Sequence, residues 1–512
     1  MSGLRIGVDV GGTSTDAVLL DGAGGLLARA KRPTTADPLD GIAAALRAVV
    51  PADAAAVGLA ALGTTQALNA VLTRRGLGRV AVLRLAAPAT LSVPLFAAWP
   101  ADLRAAVDGG GAIVRGGVEV DGRVHPLDRD EILRVLDACG PVDAVAIAGV
   151  FSVQSPEQEL EAAAIVHEAL GDAMPVSLGH RVGGIGLLER ENAAILNAAL
   201  GRAAERVAAG FAQALADCGV AAEPFLTQND GTLLALDEAC RLPVLTIGGG
   251  AANSIRGAAA LTGLGDALVV DVGGTSTDVG AIAGGSPRES AVGVAIGGVQ
   301  TNFRMPDVIS VALGGGSVVH ADGTFGPESV GARIGEEALV FGGAVATLTD
   351  AAVAAGRAAI GDPALAGGGS PAALARADAL VADAVDRMKL ARGDVPVIGV
   401  GGGSGLLPDR LPGCSAVVRP GDHDVANAIG AATSLVGGDA EVVAPAEGRA
   451  AALEEARAAA SARAEQAGAD PGRLETVRVD DVPLAYTAPP LVRIRVKVAG
   501  PARAAGPAPA RG

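Results

Sequence analysis

The sequence predicts an α/β protein made of two related halves, and three observations carry that prediction. The nine residues from Val8 to Asp16 (Val-Asp-Val-Gly-Gly-Thr-Ser-Thr-Asp) return letter for letter from Val270 to Asp278. Short apolar runs alternate with amphipathic stretches of helical period along most of the chain. Strands also run into glycine-bearing junctions that open helices, at Gly63, at Gly248-Gly249-Gly250 and at Gly401-Gly402-Gly403-Ser404.

Each copy of the repeat reads as a hairpin. An apolar run (Leu4, Ile6, Val8, Val10; Ala267 to Val270) enters a Gly-Gly turn, and a second apolar run follows (Ala17 to Leu20; Val279 to Ile282). A glycine turn lets an anion approach the backbone, and the hydroxyls after it can donate to phosphate oxygens. Asp9 and Asp271 lie inside strands, where a carboxylate is costly to bury unless it is paired or bound to a metal. A hydrated Mg2+ beside a phosphate would satisfy it. One copy alone reads equally well as a polar surface turn. Two identical copies weigh against that, because drift after duplication erases a solvated turn before it erases apolar strands.

Taken in order, Leu26 to Arg32 reads as a third strand and Pro38 to Val50 as a helix with Leu39, Ile42, Leu46 and Val49 on one face. Ala55 to Leu62 is a strand. It leads through Gly63-Thr64-Thr65-Gln66, either an anion-binding junction or a Thr N-cap, into a helix ending near Arg75. Val80 to Leu85 is a strand, and Pro88 to Val124, with the single Trp99, reads as an insertion or lid. Helices are expected at Asp128 to Cys139, Pro156 to Leu170 and Leu187 to Ala216, with strands at Val142 to Val150 and Pro175 to Leu178. The charges of Glu189-Arg190-Glu191-Asn192 are expected to be solvated or paired, with a substrate role open from their place after Gly183-Gly184. Phe225 to Thr227 and Pro243 to Ile247 read as strands, and Gln228-Asn229-Asp230-Gly231 as a polar turn between them. Helices follow to Leu261, over Thr349 to Ala359, Pro371 to Leu390 and Asn427 to Val436, and over Ala446 to Ala467. The strand Val395 to Val400 enters the last glycine junction. Glu475 to Val498 holds short strand-like runs.

At 512 residues with a net charge of −16, the chain has no basic stripe for nucleic acid, and 2% aromatics leave no stacking platform. The four cysteines form no C-x-x-C pair, which fits a reducing cytoplasm. No leader and no membrane-spanning run is visible, so a cytoplasmic location and no membrane partner are expected. P-loop, H-E-x-x-H and G-x-S-x-G motifs are absent, and Gly399-x-Gly401-x-x-Ser404 is an incomplete dinucleotide fingerprint. Asp422-His423-Asp424 reads as a turn and N-cap rather than a metal site.

Two Asp-x-Gly-Gly-Thr hairpins and a late strand-Gly3-helix resemble the actin, sugar kinase and Hsp70 superfamily, in which two ribonuclease-H-like domains clasp ATP. Within it, the chain is similar to the hydantoinase A/oxoprolinase family. The matching stretches are the two repeats, Gly-Thr-Thr-Gln-Ala-Leu-Asn-Ala at Gly63, Glu-Arg-Glu-Asn-Ala-Ala-Ile-Leu-Asn-Ala at Glu189, Gln-Asn-Asp-Gly at Gln228, Gly-Gly-Gly-Ser at Gly314 and Thr-Leu-Thr-Asp-Ala at Thr347. The resemblance implies a first half over 1–185 and a second half over 186–437; beyond it the composition changes, and a small C-terminal α+β appendage over 438–498 and a disordered Pro/Ala/Gly/Arg tail over 499–512 are expected. It implies ATP between the hairpins on Gly11, Gly12, Thr13, Ser14 and Thr15 and on Gly273, Gly274, Thr275, Ser276 and Thr277, with Gly401, Gly402, Gly403 and Ser404 against the adenosine. Asp9 and Asp271 would sit near Mg2+, and Asp16 and Asp278 would hold the turns or transfer protons. The implied activity is ATP-dependent opening of a cyclic amide. Carboxylation, small-molecule phosphorylation and a non-catalytic nucleotide-binding role stand as alternatives. A B-type subunit and self-association are candidate partners. Many family members carry Asp-Ile-His before the central glycines, where this chain has Asp307-Val308-Ile309. The chain is also shorter than the full hydantoinase A type.

Overall fold

The computed structural model describes residues 3–35, 38–119, 122–290, 292–367, 369–484 and 490–503. The duplication read in nine residues extends to whole sheets. In the first half, Ser14–Leu20 pairs antiparallel with Leu4–Val10 on one side and with Leu26–Pro33 on the other. Leu4–Val10 then pairs in parallel with Val57–Thr64, which pairs in parallel with Pro224–Thr227. The second half repeats the order with Val308–Val311, Thr277–Ala283, Ala267–Val272, Val395–Val400 and Cys414–Val418. In both halves the hairpin strand carrying the Asp is central, so its carboxylate lies at the carboxyl end of a parallel pair.

The halves are joined by two helices, Gly249–Thr262 and Ala426–Thr433, which cross in close contact. A Cβ on Gly257 would lie 1.9 Å from the carbonyl oxygen of Ala426, and one on Gly430 would lie 2.0 Å from that of Asn253. The second helix also presses on the first hairpin, where a Cβ on Gly7 would lie 2.0 Å from the Ala428 oxygen. Backbone meets backbone at these points, and only glycine fits.

Several expectations change. The segment Pro88 to Val124 is not a lid. It supplies the helix Ala101–Val107 and the strand Asp108–Arg115, which forms the edge of a separate four-stranded parallel sheet with Val80–Ala87, Ala144–Gly149 and Val176–Leu178. Glycine hid that strand: Gly111 lies so close to its neighbour that a Cβ would be 2.1 Å from the Val82 oxygen. This sheet and the 31-residue helix Leu187–Asp217 are inserted between the fourth and fifth strands of the first half. Pro243 to Ile247 is a 3-10 turn, Pro243–Thr246, instead of a strand, as suits a leading proline.

The C-terminal region is not an appendage. Val436–Pro445, Leu491–Gly500 and Glu475–Leu484 extend the first sheet to nine strands. The helix Arg449–Gln466 lies on them through Ala452, Ala456, Ala460 and Ala464, whose four-residue spacing makes a flat buried stripe. Order continues past Ala499, since the last strand ends at Gly500 and Ala502 bridges to Ala469; the rest of the expected tail, 504–512, lies outside the described residues. No helix among the described residues is long and apolar enough to cross a membrane.

Gly257→Ala is expected to lower the thermal midpoint, because a methyl group cannot enter the helix crossing without separating the helices. Overpacking of this kind costs about 1–3 kcal/mol. A thermal melt of the variant beside the parent protein checks it.

Candidate functional site

Both hairpins close with the same bond, Gly11 N–H to Ser14 O and Gly273 N–H to Ser276 O, each at 2.9 Å. The turns then meet: a Cβ on Gly274 would lie 2.7 Å from Cγ2 of Thr13. The glycine loops of the two halves therefore share one crevice. Each is braced from behind. Thr34 donates to Gly11 O from its hydroxyl (2.9 Å) and to Thr13 O from its N–H (3.1 Å). Gly315 and Gly316 donate their N–H groups to Gly273 O (2.9 Å) and Gly274 O (2.7 Å).

Below the turns lie the two strand carboxylates. Asp9 is 5% exposed. Its Oδ1 accepts from Nδ2 of Asn253 at 3.1 Å, and its Oδ2 lies 3.5 Å from Nδ2 of Asn427. Asn253 and Asn427 belong to the two crossing helices, and Asn427 also donates toward Asp271. Each carboxylate fits because a glycine lies against it, Gly63 opposite Asp9 on the parallel strand and Gly401 just past the end of the strand beside Asp271. A Cβ on Gly63 would lie 2.3 Å from Oδ1 of Asp9, and one on Gly401 would lie 2.2 Å from Oδ1 of Asp271. Burial, joined by the charges of Asp16 and Asp271, pushes the Asp9 carboxyl up to about 7; burial, joined by Asp278, pushes Asp271 up to about 6.

Asp16 and Asp278 sit opposite Asp9 and Asp271 across their hairpins. Asp16 takes both oxygens to Nζ of Lys31, at 2.9 and 2.8 Å. Asp278 accepts from the Ser310 hydroxyl at 2.6 Å. Burial raises both carboxyls from their ordinary value, against Lys31 in the first case and Ser310 in the second. Both are held by cross-strand neighbours behind the turns.

Of the expected contacts, Gly11, Gly12, Thr13 and Ser14 and their counterparts Gly273, Gly274, Thr275 and Ser276 form the facing turns, and Gly401, Gly402 and Gly403 flank Asp271. Three hydroxyls do not reach the crevice. Thr15 and Thr277 are fully buried, because strand alternation turns them away from Ser14 and Asp16 and from Ser276 and Asp278. The Thr277 hydroxyl donates to Leu313 O at 2.7 Å. Ser404 is fully buried too, with Oγ 2.9 Å from Nδ1 of His423. His423, read from sequence as part of a turn, thus fastens the last glycine junction, and Gly401 N–H donates to its carbonyl at 2.9 Å.

Sequence reasoning missed Asn253, Asn427 and Lys31 as parts of the site. An asparagine near the start of a helix carries no signal beyond a cap. Lys31 had one: Lys31, Lys389 and Lys497 are the only lysines among 40 basic residues. Other quoted motifs serve the architecture. Glu191 is buried in a two-pronged ion pair with Arg84, at 2.5 and 2.7 Å, so the paired reading holds there and the solvated one does not. Asp230 holds Lys497 at 2.8 Å, and Thr347 and Asp350 form a capping box.

The donor set suits a phosphate-bound Mg2+. Buried Asp9 and half-buried Asp271 share the crevice floor, beneath backbone turns open to an anion. No cluster of three or more metal-ligating side chains occurs among the described residues. Mg2+ takes one or two carboxylates and completes its shell with water and phosphate oxygens.

Two duplicated sheets with facing glycine turns over paired carboxylates define a fold of two ribonuclease-H-like halves of the actin/Hsp70 type. Among solved structures, the ATP-dependent caprolactamase from Pseudomonas jessenii superposes with a TM-score of 0.76 at 22% identity, covering 99% of this chain and 90% of that one. Acetone carboxylase in its nucleotide-free form gives 0.67 at 16% identity, covering 98% and 88%. The hydantoinase/oxoprolinase N-terminal region is matched over residues 5–170 and hydantoinase/oxoprolinase over residues 190–388, and the chain belongs to this family. Caprolactamase subunit alpha of Pseudomonas jessenii is 30% identical over 404 residues, which cover 71% of this chain and 56% of that protein. Acetophenone carboxylase gamma subunit of Aromatoleum aromaticum is 29% identical over 410 residues, covering 69% and 53%. The chain thus spans about half the length of these two relatives.

The raised carboxyls make a stability prediction. With a native value of about 7 against 3.8 for the free group, Asp9 holds a proton in the native state that the unfolded chain has lost. Its contribution therefore falls as pH rises from about 4 to 7. In the absence of divalent cation, Asp9→Asn is expected to stabilise the protein at pH 8, by on the order of 2–4 kcal/mol. The gain should vanish near pH 4. Thermal melts across that range check it.

Proposed function

We propose that this protein is an ATP-dependent hydrolase that opens a cyclic amide, with the triphosphate held between the two glycine turns. The observation that carries the reading is the meeting of Gly274 with Thr13 above Asp9 and Asp271. Backbone N–H groups and the hydroxyls of Thr13, Ser14, Thr275 and Ser276 would bind phosphate oxygens. Asp9 and Asp271 would hold Mg2+, which neutralises phosphate charge when bound. Gly401, Gly402 and Gly403 would lie against the nucleoside. The chemistry is positioning and charge stabilisation: phosphate placed on an amide oxygen turns a poor leaving group into a good one. The similarity to a caprolactamase subunit supports the cyclic amide, and family membership supports the nucleotide.

The similarity to a carboxylase subunit supports a second reading, in which the same activation serves carboxylation. Both relatives are named as subunits, so we propose that a B-type subunit completes the enzyme. A cytoplasmic location fits the unpaired cysteines.

The test is Mg2+-dependent ATP hydrolysis with a panel of lactams, hydantoins and oxoproline, with and without a B-type partner. Asp271→Ala is expected to lower turnover at least about 100-fold, an electrostatic loss of the size seen when one charge-stabilising group is removed. Its thermal midpoint should be retained. Unchanged turnover would overturn the metal site. Dependence on bicarbonate would select carboxylation, and a stable phosphorylated product would select a kinase.

A further inference from the structure

The two half-sites are built alike, and the duplication alone does not say which turn takes the terminal phosphate. A difference in charge breaks the symmetry. On the third strand of each half, Lys31 is the cross-strand neighbour of Asp16, and Ser310 is the neighbour of Asp278. The first turn therefore has a cation behind it and the second has a hydroxyl.

We propose that Lys31 contacts the terminal phosphate of the bound nucleotide, which places that phosphate under the first turn and gives the crevice its direction. This inference rests on the nucleotide reading above. Four observations carry it. Lys31 is the basic side chain that ion-pairs with a carboxylate of the two repeats among the described residues. Its stem reaches the mouth of the crevice on the opposite half, where a Cβ on Gly402 would lie 3.8 Å from Lys31 Cε. Its side chain is 39% exposed, so an incoming anion can reach it. Its charge is also felt at Asp271, on the second repeat.

Nζ is held by Asp16 and by the carbonyl of Asp424, at 2.9 Å, which belongs to the second half. Arg29, two residues earlier on the same face, is bound to Asp422 and Asp424 at 3.0 and 2.8 Å, so it is occupied outside the crevice. The crevice collects Asp9, Asp16, Asp271 and Asp278, and a triphosphate adds further negative charge. Lys31 can turn from the Asp16 carboxylate to a phosphate oxygen by rotating its flexible stem, exchanging one charged acceptor for another. A compact ammonium suits that exchange better than a guanidinium fork. This also explains a lysine in a chain whose basic residues are otherwise almost all arginine.

The experiment compares Mg2+-bound ADP with a non-hydrolysable ATP analogue by calorimetry on the parent protein, Lys31→Met and Lys31→Arg, each checked by thermal melt. Lys31→Met is expected to bind the triphosphate analogue about 10-fold to 100-fold more weakly, the worth of one charged hydrogen bond. ADP affinity should stay within about threefold, and Lys31→Arg should recover part of the loss. Equal weakening of both nucleotides would show that Lys31 only ties the halves together, and no weakening would show that it touches neither; each result overturns the inference. If Lys31→Met does not fold, Lys31→Arg alone decides, since an unchanged ratio of the two affinities counts against the contact. A parent protein that binds neither nucleotide overturns the nucleotide reading itself, a result distinct from unaltered selectivity in a protein that binds both.

Discussion

The structure depends on two carboxylates from opposite halves being kept together in a partly dry crevice. Asp9 and Asp271 repel each other, and burial penalises the charge of each. An arrangement of that kind persists only when the surrounding packing fixes it. Here the fixing element is the crossing of Gly249–Thr262 with Ala426–Thr433. Gly257 and Gly430 bring the helix backbones into contact, and from those same helices Asn253 and Asn427 donate to the carboxylates. Interdomain packing and site geometry are thus one feature. A change that spreads the helices also withdraws the amides that offset the buried charge.

Much of this was legible in the sequence, for a physical reason. The hairpins announced themselves because their turn chemistry is local: Gly-Gly, hydroxyls and Asp within nine residues. The strand entering the glycines at Gly401 was equally plain, although the helix expected after them is a single 3-10 turn, Ser404–Leu406. What lay outside local pattern was lost. The strand Asp108–Arg115 contains Gly109, Gly110 and Gly111, which remove its apolar alternation, although close approach to Val80–Ala87 is what requires Gly109 and Gly111. The strands Glu475–Leu484 and Leu491–Gly500 were visible as apolar runs. Their destination, an extension of the first sheet through Val436–Pro445, is set by pairing across the chain that no window can show. Thr15, Thr277 and Ser404 were assigned to the crevice because they stand in its motifs. Strand alternation and the reach of His423 turn them inward.

The stretches that carry the family resemblance are of two physical kinds. The repeats and the Gly401 junction line the crevice. The Glu189, Gln228 and Thr347 stretches build buried polar joints: Glu191 with Arg84, Asp230 with Lys497, and Asp350 with Thr347 and the N–H of Val340. Polar groups buried this way are expensive to leave unpaired, so each joint admits few residue types. That is a sufficient reason for a recognisable motif without chemistry in it. The motifs accordingly speak for architecture, and they do not select a substrate.

The first half also carries elements that the duplication did not copy. Among the described residues, the second half has no counterpart of the four-stranded parallel sheet or of the helix Leu187–Asp217, both inserted between the fourth and fifth strands of the first half. In an open parallel sheet the crevice for a ligand lies beyond the carboxyl ends of the strands, where the order reverses. In this insert, that is where Val80–Ala87 and Ala144–Gly149 lie side by side. The helix Leu187–Asp217 ties the insert to the body that carries the glycine turns: Arg190 reaches the Gly149 and Gly184 carbonyls, and Asn192 donates to Gln300 O at 2.8 Å. The symmetric pair of glycine turns and the asymmetric insert are therefore mechanically joined. The turns come from the duplication, and the insert is what the first half carries beyond it.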